Sequence, residues 1–577
     1  MPNTALARLF EAQLERGEAA WFSLPGGATL YNIGEPSDHL YFVHAGRLGA
    51  FRSEPGMEPQ FLGVIRPGEP AGEMAMISGM AHSGHVVALR DSEILSLPRD
   101  AFFDACDLEP SVMTELAKLM IVRNRQAAMR TSTGEPSVYG FITVGEPVTL
   151  RPLLDRVARE IGRLGYTSTV VGLEAQHAPT EWFSNVERDY DFVLYVAEAQ
   201  DMGWRQVVAR QVDRLFRVAK GDSPPPKDGL MASTDPLQAQ NLVDLILVQK
   251  RNCVRPMGSE AWLDAAMPAR LFHVRRDIAG DIQRLARVLT GQSVGLVLSG
   301  GGARAYAHAG AIRALRERNV PIDFVAGVSM GAVVGAGFAM GWDGEEMDRR
   351  IRDAFVDTSP LDDIAIPILA MTRGDKVRER LERHFADTQI SDLWLPFFCL
   401  STNLTTGAYW IHKRGRLRDA LRASISLPGI LPPATDGINV LVDGAVLKNF
   451  PADIMRIAQL GPIIGIDVSG ARSITADEVA RPSSVWRWIF SGQWRKGPPI
   501  VSLLMRSATV SSGRDLAAAR EATDVLISPD VGHIEIRDWT AYDPAVTAGY
   551  QATLAALDKL TRPVTDLRRR TSKEDAP

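Results

Sequence analysis

The sequence predicts a multidomain chain: an N-terminal β-barrel, a middle α/β domain and a larger C-terminal α/β domain. Its 577 residues exceed one compact domain, because domains usually hold about 100–150 residues. Residues 20–100 alternate short β-type runs with glycine turns, which is typical of a small barrel or sandwich. From residue 138 onward, apolar β-runs alternate with helical segments, which predicts parallel sheets covered by helices.

We place the domain boundaries where these patterns change. Residues 1–130 form the barrel with flanking helices, 138–285 a non-catalytic α/β domain, and 290–577 the C-terminal domain with its last helix and polar tail. The segment TSTGEPS at 131–137 has the composition of a linker. The middle domain lacks a GxxxxGK[ST] phosphate loop, so we expect no nucleotide hydrolysis there.

The composition argues against several classes of protein. Lys and Arg number 64 against 69 Asp and Glu, a net charge of -5, whereas a nucleic-acid binder needs a strongly basic domain. The cysteines 106, 253 and 399 are too far apart for a disulfide framework or zinc cluster, and no HExxH motif occurs, so we expect no metal and no cofactor. No signal peptide is recognisable, which predicts a cytoplasmic protein. Peripheral membrane contact is a separate expectation that rests on the tryptophans Trp486, Trp488 and Trp494.

The most informative motif runs from Gly327 to Gly331 with Ser329 at its centre, GVSMG. It follows the apolar run at 322–326 and precedes a helix of small residues. A GxSxG motif between strand and helix is typical of a nucleophile elbow, where glycines avoid clashes in a sharp turn. The helix N-terminus also directs partial positive charge at the serine. Ser329 is therefore the candidate nucleophile, and the alternative is a glycine-rich turn with a bystander serine.

A glycine loop comes one βα unit earlier. The run at 294–298 leads into Gly300, Gly301 and Gly302, followed by Arg304 and a helix. Backbone N–H groups in such a loop can converge on an oxyanion, each worth roughly 3 kcal/mol in the transition state, and Arg304 adds positive charge. The rival interpretation is a dinucleotide loop, because G-x-G-x-x-A also fits. The following elbow favours hydrolysis.

A third motif, DGA, begins at Asp443, directly after the apolar run INVLV. A serine nucleophile needs a base. One arrangement is a triad in the order Ser329, Asp443 and His533, as in α/β-hydrolases. The other is a dyad in which Asp443 takes the serine proton directly. The residues alone leave both open.

Taken in order, SGGGAR, GVSMG and DGA resemble the patatin-like phospholipases. The segments LARVLTGQSVGLVLSGGGARAYAHAGAIRAL and LRASISLPGILPPATDGINVLVDGAVLKNFPADIMR narrow the resemblance to the neuropathy target esterase branch. It implies a patatin-like α/β hydrolase fold and hydrolysis of fatty acyl esters of lysophospholipids and phospholipids. Ala305 and Ala445 depart from glycines that are usual in the family.

The resemblance also implies roles for single residues. Ser329 would be the nucleophile and Asp443 the base of a Ser–Asp dyad. Gly300, Gly301 and Gly302 would form the oxyanion hole. The supporting positions are Arg304, Gly327, Gly331 and Gly444.

The barrel region resembles a cyclic nucleotide-binding domain, on the segments at 25–51 and 70–102. Gly72 and Glu73 match its phosphate cassette, and the resemblance places the glutamate on a ribose 2′-hydroxyl. His82, followed by Ser83, stands where the family has arginine. Arginine binds a phosphate with two hydrogen bonds, whereas histidine is mostly neutral at pH 7. We therefore expect weak cyclic nucleotide binding or none.

Three tryptophans, Trp486, Trp488 and Trp494, lie among basic residues, which is typical of a lipid–water interface or of a lid helix. The expected function is a serine hydrolase whose partner is a lipid or lysophospholipid substrate. The alternatives are a cyclic-nucleotide-responsive regulator with weak or secondary esterase activity, and a dinucleotide-dependent oxidoreductase.

Overall fold

The computed structural model describes residues 5–52, 60–128, 136–226, 243–357, 362–365, 370–469 and 512–572. The chain folds into two compact units. The first contains Met1–Val248, Leu263–Leu271 and Thr571–Pro577, and the second contains Gln249–Trp262 and Phe272–Arg570. The three domain boundaries placed above stay predictions.

The N-terminal part of the first unit is an antiparallel sheet that curls into a half-barrel. Its strands are β1 Ala20–Leu24, β2 Thr29–Tyr31, β3 His39–Arg52, β4 Gln60–Ile65, β5 Pro70–Ala71 and β6 His85–Pro98. Register shifts along the β3–β6 ladder bend the two long strands. Helices cover Ala5–Glu15, Glu73–Ser78, Arg99–Leu108 and Ser111–Ala128. The predicted barrel is confirmed.

The rest of the first unit is a parallel sheet. Its strands are β7 Val138–Thr143, β8 Ser168–Val171, β9 Phe192–Ala197, β10 Arg214–Lys220 and β11 Val243–Gln249, in the order β11-β10-β7-β9-β8. Helices cover Arg151–Arg163, Thr180–Asp189 and Met202–Gln211. The first of these buries Leu153, Leu154, Val157 and Ile161, the spacing of one helix face. Further along the chain come a helix at Ser259–Ala266 and a strand, β12, at Leu271–Arg275.

The second unit contains a mixed sheet. Its strands are β13 Gly295–Leu298, β14 Phe324–Val328, β15 Phe397–Asn403, β16 Ala408–His412, β17 Ala434–Thr435, β18 Val440–Asp443, β19 Ile463–Ile466 and β20 Val525–Ile527. The order is β17-β18-β15-β14-β13-β19-β20, and β16 pairs with β15. The five strands β15, β14, β13, β19 and β20 run parallel, whereas β16 and β18 run antiparallel to β15.

Helices surround this sheet at Ala279–Thr290, Ala307–Glu317, Met330–Met340, Gly344–Ile351, Asp375–Phe385, Leu417–Ser424, Ala452–Ala458, Ser512–Glu521 and Tyr542–Leu557. β13 and β14 are buried neighbours that end at Leu298 and Val328. The glycine loop and Ser329 therefore lie side by side at the carboxyl edge of the sheet, where open α/β sheets bind their ligands.

Two helices meet closely behind this edge. A Cβ on Gly310 would lie 1.8 Å from the Val546 carbonyl oxygen, and one on Gly549 would lie 1.9 Å from that of Ala307. Only glycine permits this approach, so the last long helix packs directly on the helix that follows the glycine loop. Among the described residues, no helix combines the length and the apolar character needed to cross a membrane.

Candidate active site

Ser329 lies in a strained turn between β14 and the helix Met330–Met340. Its φ is 53° and its ψ is -132°, a conformation that a residue with a side chain rarely adopts. A Cβ on Gly327 would come 2.6 Å from Ala332 Cα, and one on Gly331 would come 2.4 Å from the Ser299 carbonyl oxygen. The Ser329 N–H donates to Ser424 Oγ at 2.9 Å. This is the geometry of a nucleophile elbow.

Ser329 and Asp443 are in direct contact. Ser329 Oγ donates to Asp443 Oδ2 at 2.6 Å, and the Ala445 N–H donates to Asp443 Oδ1 at 2.9 Å. Burial of the carboxyl group raises the pKa of Asp443 to about 7, although the hydrogen bonds from Ser329 and Ala445 act in the opposite direction. A carboxylate with a pKa near neutrality is suited to accept a proton. Gly444 is needed here, because its Cβ would come 2.5 Å from the Leu400 carbonyl oxygen.

The geometry favours the dyad over the triad. His533 is exposed, and both oxygens of Asp443 have the partners just named. Two other histidines of the same unit bond elsewhere: the buried His308 donates from Nε2 to the Ser299 carbonyl oxygen at 2.8 Å, and the half-buried His412 places Nε2 2.8 Å from Ser401 Oγ. Within the described ranges, no histidine hydrogen-bonds to Ser329 or Asp443.

The glycine loop offers two N–H groups rather than three. The Gly300 N–H donates to Asn449 Oδ1 at 3.0 Å, so it is engaged. The Ala303 N–H donates to the Ile536 carbonyl oxygen at 2.9 Å. Gly301 and Gly302 keep N–H groups with no acceptor among the described residues. Gly300 instead leaves room for the Ser329 side chain, because a Cβ on Gly300 would come 3.0 Å from Ser329 Cβ.

Arg304 does not direct its charge at the serine. Its Nε donates to the Ile534 carbonyl oxygen at 2.7 Å and its Nη2 to that of Gly532 at 3.4 Å, and the side chain is buried. Gly302, with a φ of +56°, lies so close to the same segment that a Cβ would stand 2.1 Å from the Ile536 carbonyl oxygen. Arg304 therefore holds this segment against the glycine loop, a positioning role that the sequence did not indicate.

Sequence reasoning missed three residues that support the site: Asn449, Ser424 and His308. Asn449 Nδ2 donates back to the Gly300 carbonyl oxygen at 3.2 Å. Burial lowers the pKa of His308 to about 4, so its neutral ring donates from Nε2 and holds the end of β13. The only signal in the sequence was that His308, Ser424 and Asn449 lie within the two segments that carry the family resemblance.

The candidate nucleotide pocket of the half-barrel contains a buried histidine. The His82 ring stacks on Tyr31, with ring centroids 3.7 Å apart, and a Cβ on Gly72 would come 3.3 Å from His82 Cε1. Burial lowers the pKa of His82, so the ring is neutral at pH 7. Glu73 is buried and Ser83 is exposed. The histidine thus fills the space beside Gly72 and carries no charge for a phosphate.

Two further expectations concern membranes and metals. Trp486, Trp488 and Trp494 lie outside the described residues. The described ranges hold no group of three or more His, Cys, Asp or Glu side chains arranged to bind a metal ion.

Three family models match the chain. A cyclic nucleotide-binding domain covers residues 21–108, a neuropathy target esterase family P-loop like domain covers 167–278, and a patatin-like phospholipase covers 296–456. An uncharacterised NTE family protein of Mycobacterium tuberculosis is 31% identical over 574 aligned residues, which cover 96% of this chain and 94% of that protein. The chain belongs to the NTE family.

Animal members of the NTE family are longer. Neuropathy target esterase sws of Drosophila melanogaster is 27% identical, covering 92% of this chain and 42% of that protein. The human patatin-like phospholipase domain-containing protein 6 is 28% identical, covering 92% of this chain and 44% of that protein. The chain therefore spans less than half the length of these relatives.

NTE family membership confirms the predicted resemblance and the fold class. The glycine loop, Ser329, Asp443 and Asn449 all fall inside the patatin-like phospholipase match. The family and the domain together make the chain a lipid hydrolase. The middle domain, predicted as a non-catalytic α/β unit, carries the match to a P-loop like domain although it has no GxxxxGK[ST] motif.

Proposed function

We propose that this NTE family protein cleaves fatty acyl ester bonds of lysophospholipids and phospholipids with a Ser329–Asp443 dyad. The observation that carries the proposal is the 2.6 Å hydrogen bond from Ser329 Oγ to Asp443 Oδ2 in a buried site. The two N–H groups of Gly301 and Gly302 add the donors that an acyl transfer reaction needs.

In the first half of the reaction, Ser329 Oγ attacks the ester carbonyl carbon and its proton passes to Asp443 Oδ2. The carbonyl oxygen becomes an oxyanion that accepts hydrogen bonds from the N–H groups of Gly301 and Gly302. When the tetrahedral intermediate collapses, the bond to the alcohol oxygen breaks and Asp443 returns the proton to that oxygen. The lysolipid or glycerophospho-alcohol leaves, and the acyl group stays on Ser329 as an ester.

In the second half, water takes the place of the alcohol. Asp443 accepts a proton from the water as its oxygen attacks the acyl carbon, and the same two N–H groups stabilise the oxyanion. Asp443 then gives the proton to Ser329 Oγ as the fatty acid leaves. One carboxylate thus serves as base and acid in turn, which requires a pKa near the working pH.

The test is fatty acid release by the full chain from lysophosphatidylcholine, phosphatidylcholine and p-nitrophenyl acyl esters. Ser329→Ala and Asp443→Asn should each remove the activity. Ser293→Ala is the matched control, because this buried serine donates to Gln459 next to the amino end of β13, at the opposite edge of the sheet. Equal release by wild type and Ser329→Ala would contradict the mechanism.

A second candidate function rests on the cyclic nucleotide-binding domain match at residues 21–108. In that case the half-barrel would bind a cyclic nucleotide and regulate the hydrolase. The neutral His82 ring beside Gly72 argues against it. Calorimetry with cyclic nucleotides decides the matter.

A further inference from the structure

Two loops of the second unit expose large apolar side chains beside the candidate active site. We define the apolar tip as Leu404, Tyr409, Trp410, Ile438 and Val440. All are exposed, and Ile438 shows 84% of its surface to solvent. Exposed apolar residues are unremarkable when scattered, but a cluster at one place marks an interaction surface.

Hydrogen bonds join the two loops into one surface. The Leu404 N–H donates to the Val440 carbonyl oxygen at 2.8 Å, and the Val440 N–H donates to Thr405 Oγ1 at 3.0 Å. Asn403 Nδ2 also donates to Asn439 Oδ1 at 2.8 Å. The tip is therefore continuous between the β15–β16 turn and the β17–β18 turn.

The turn that carries Ile438 is fixed by its own side chains. Asp436 Oδ1 accepts from the Ile438 N–H at 3.0 Å and from the Asn439 N–H at 2.7 Å, and Oδ2 accepts from Asn439 Nδ2 at 2.9 Å. Such a turn holds the backbone in one conformation. These hydrogen bonds therefore fix Ile438 in a solvent-exposed position, although burial of its side chain would be favourable.

The tip lies at the same edge of the sheet as the dyad. Trp410 is the register partner of Ser401, and Ser401 is the partner of Asp443. Opposite residues of antiparallel strands share one face, so Trp410 lies on the face that holds Asp443, two strands away. Val440 precedes Asp443 by three residues, or roughly 10 Å of strand. An ester bound at Val440 would therefore lie about 10 Å along β18 from Asp443, the partner of Ser329.

Basic residues follow the tip along the chain beyond β16, and one acid, Asp436, lies in its second turn. The segment 404–416, LTTGAYWIHKRGR, holds Lys413, Arg414 and Arg416 and no acidic residue, in a chain whose net charge is -5. Arg414 bonds to Glu260, whereas Lys413 and Arg416 are exposed. Tyrosine and tryptophan next to basic residues suit the interface of an anionic bilayer, where the rings enter the headgroup region and the cations meet lipid phosphates.

We infer that the apolar tip docks this protein onto an anionic lipid bilayer, with Trp410 and Ile438 inserted at the headgroup level. This inference rests on the proposed function, since a hydrolase of lipid esters draws its substrate from such a surface. The proposed membrane contact lies on residues of the second unit that the structure describes. It is separate from the contact expected of the tryptophans at 486–494.

The test compares two double variants of the full chain by flotation with vesicles. Trp410→Ser/Ile438→Ser removes the tip, and Trp182→Ser/Ile457→Ser is the control, since Trp182 and Ile457 are also exposed, Ile457 at 87%. With vesicles of equal phosphatidylcholine and phosphatidylglycerol, the tip variant should partition about tenfold more weakly and the control should match wild type. Equal partitioning of both variants overturns the inference.

A further double variant tests whether the tip prefers anionic lipids. Lys413→Glu/Arg416→Glu should weaken flotation with the anionic vesicles and leave the weaker flotation with pure phosphatidylcholine vesicles unchanged. Light scattering tests a rival occupant, a second copy of this chain. A tip variant that changes from dimer to monomer but floats like wild type would identify a contact between copies and overturn the docking.

Hydrolysis separates this inference from the proposed function. The tip variant should cleave soluble p-nitrophenyl butyrate at the wild-type rate and lose about tenfold on vesicle lipids. A wild type that floats but cleaves neither substrate contradicts the proposed function and leaves the docking supported. A tip variant that cleaves vesicle lipids at the wild-type rate overturns the docking and leaves the proposed function intact.

Discussion

Asn449 and Gly300 exchange two hydrogen bonds: the Gly300 N–H donates to Asn449 Oδ1 at 3.0 Å, and Asn449 Nδ2 donates to the Gly300 carbonyl oxygen at 3.2 Å. That carbonyl and the Gly301 N–H belong to one planar peptide and point in opposite directions. By holding the carbonyl, Asn449 sets the direction of the Gly301 N–H. Because oxyanion stabilisation depends on where the donors point, Asn449 acts as a positioning residue.

Replacing Asn449 should therefore slow catalysis more than it weakens binding. Asn449→Ala removes both bonds, and Asn449→Asp keeps the acceptor but places a carboxylate oxygen against the Gly300 carbonyl. Each should lower kcat by about 100-fold, the loss typical of a displaced oxyanion donor. KM should change little, because the interaction forms in the transition state. Steady-state kinetics with a p-nitrophenyl ester measure both constants.

Gln459 provides the matched control for the pair of hydrogen bonds between Asn449 and Gly300. The Gly461 N–H donates to its Oε1 at 2.6 Å, and its Nε2 donates to the Gly461 carbonyl oxygen at 3.0 Å, next to the amino end of β13. Gln459→Ala should lower Tm and leave kcat near the wild-type value. If both variants lose kcat equally, Asn449 has only a structural role.

The pH profile of kcat/KM should report the protonation of Asp443. Burial raises its pKa to about 7, and only the carboxylate accepts the Ser329 proton. The rate should fall about tenfold per pH unit below that pKa and level off above it. His533→Ala should leave the profile and the rate unchanged. A loss of several orders of magnitude in this variant would restore the triad.

The same pKa predicts how Asp443 affects stability. Its pKa is higher in the folded protein than the 3.8 of a free aspartic acid side chain, so the folded state binds the proton more tightly. The stabilisation is complete below the unfolded pKa and is lost as pH rises through the folded pKa, at about 1.4 kcal/mol per pH unit. Asp443→Asn should therefore raise Tm more at pH 8 than at pH 5. An equal shift at both values contradicts the buried carboxylate.

Gly302 should tolerate no side chain. Its φ is +56°, and a Cβ would lie 2.1 Å from the Ile536 carbonyl oxygen, a backbone atom that cannot move aside alone. Gly302→Ala should cost about 1–3 kcal/mol through backbone strain and lower kcat further by displacing its own N–H. Gly344→Ala is the control, because nothing lies within 4 Å of its Cβ position. Thermal melts and kinetics on both variants separate the two effects.

Local constraints made part of this site predictable. Gly327 and Gly331 flank Ser329 because a tight turn needs glycine at these positions. Since a turn is formed by consecutive residues, its motif can be recognised in the sequence. Asn449 was not predictable as a partner of Gly300, because the two residues meet only once β13 and β18 share a sheet. The sequence predicts that Arg304 places positive charge at the active site. In the structure its guanidinium instead donates to the carbonyl oxygens of Gly532 and Ile534. No sequence pattern predicts where the segment at 532–536 runs in the fold.

The half-barrel should not bind cyclic nucleotides. His82 is buried on Tyr31, beside Gly72, and burial lowers its pKa. Titration of the full chain with cyclic AMP or cyclic GMP should give no saturable heat. His82→Arg should gain binding, because a guanidinium beside Gly72 and Glu73 is charged and pairs with a phosphate through two hydrogen bonds. Ser83→Arg places the same charge on an exposed neighbour and should gain nothing. Micromolar binding by the wild type would instead support the regulatory function and show that the neutral histidine leaves room for a nucleotide.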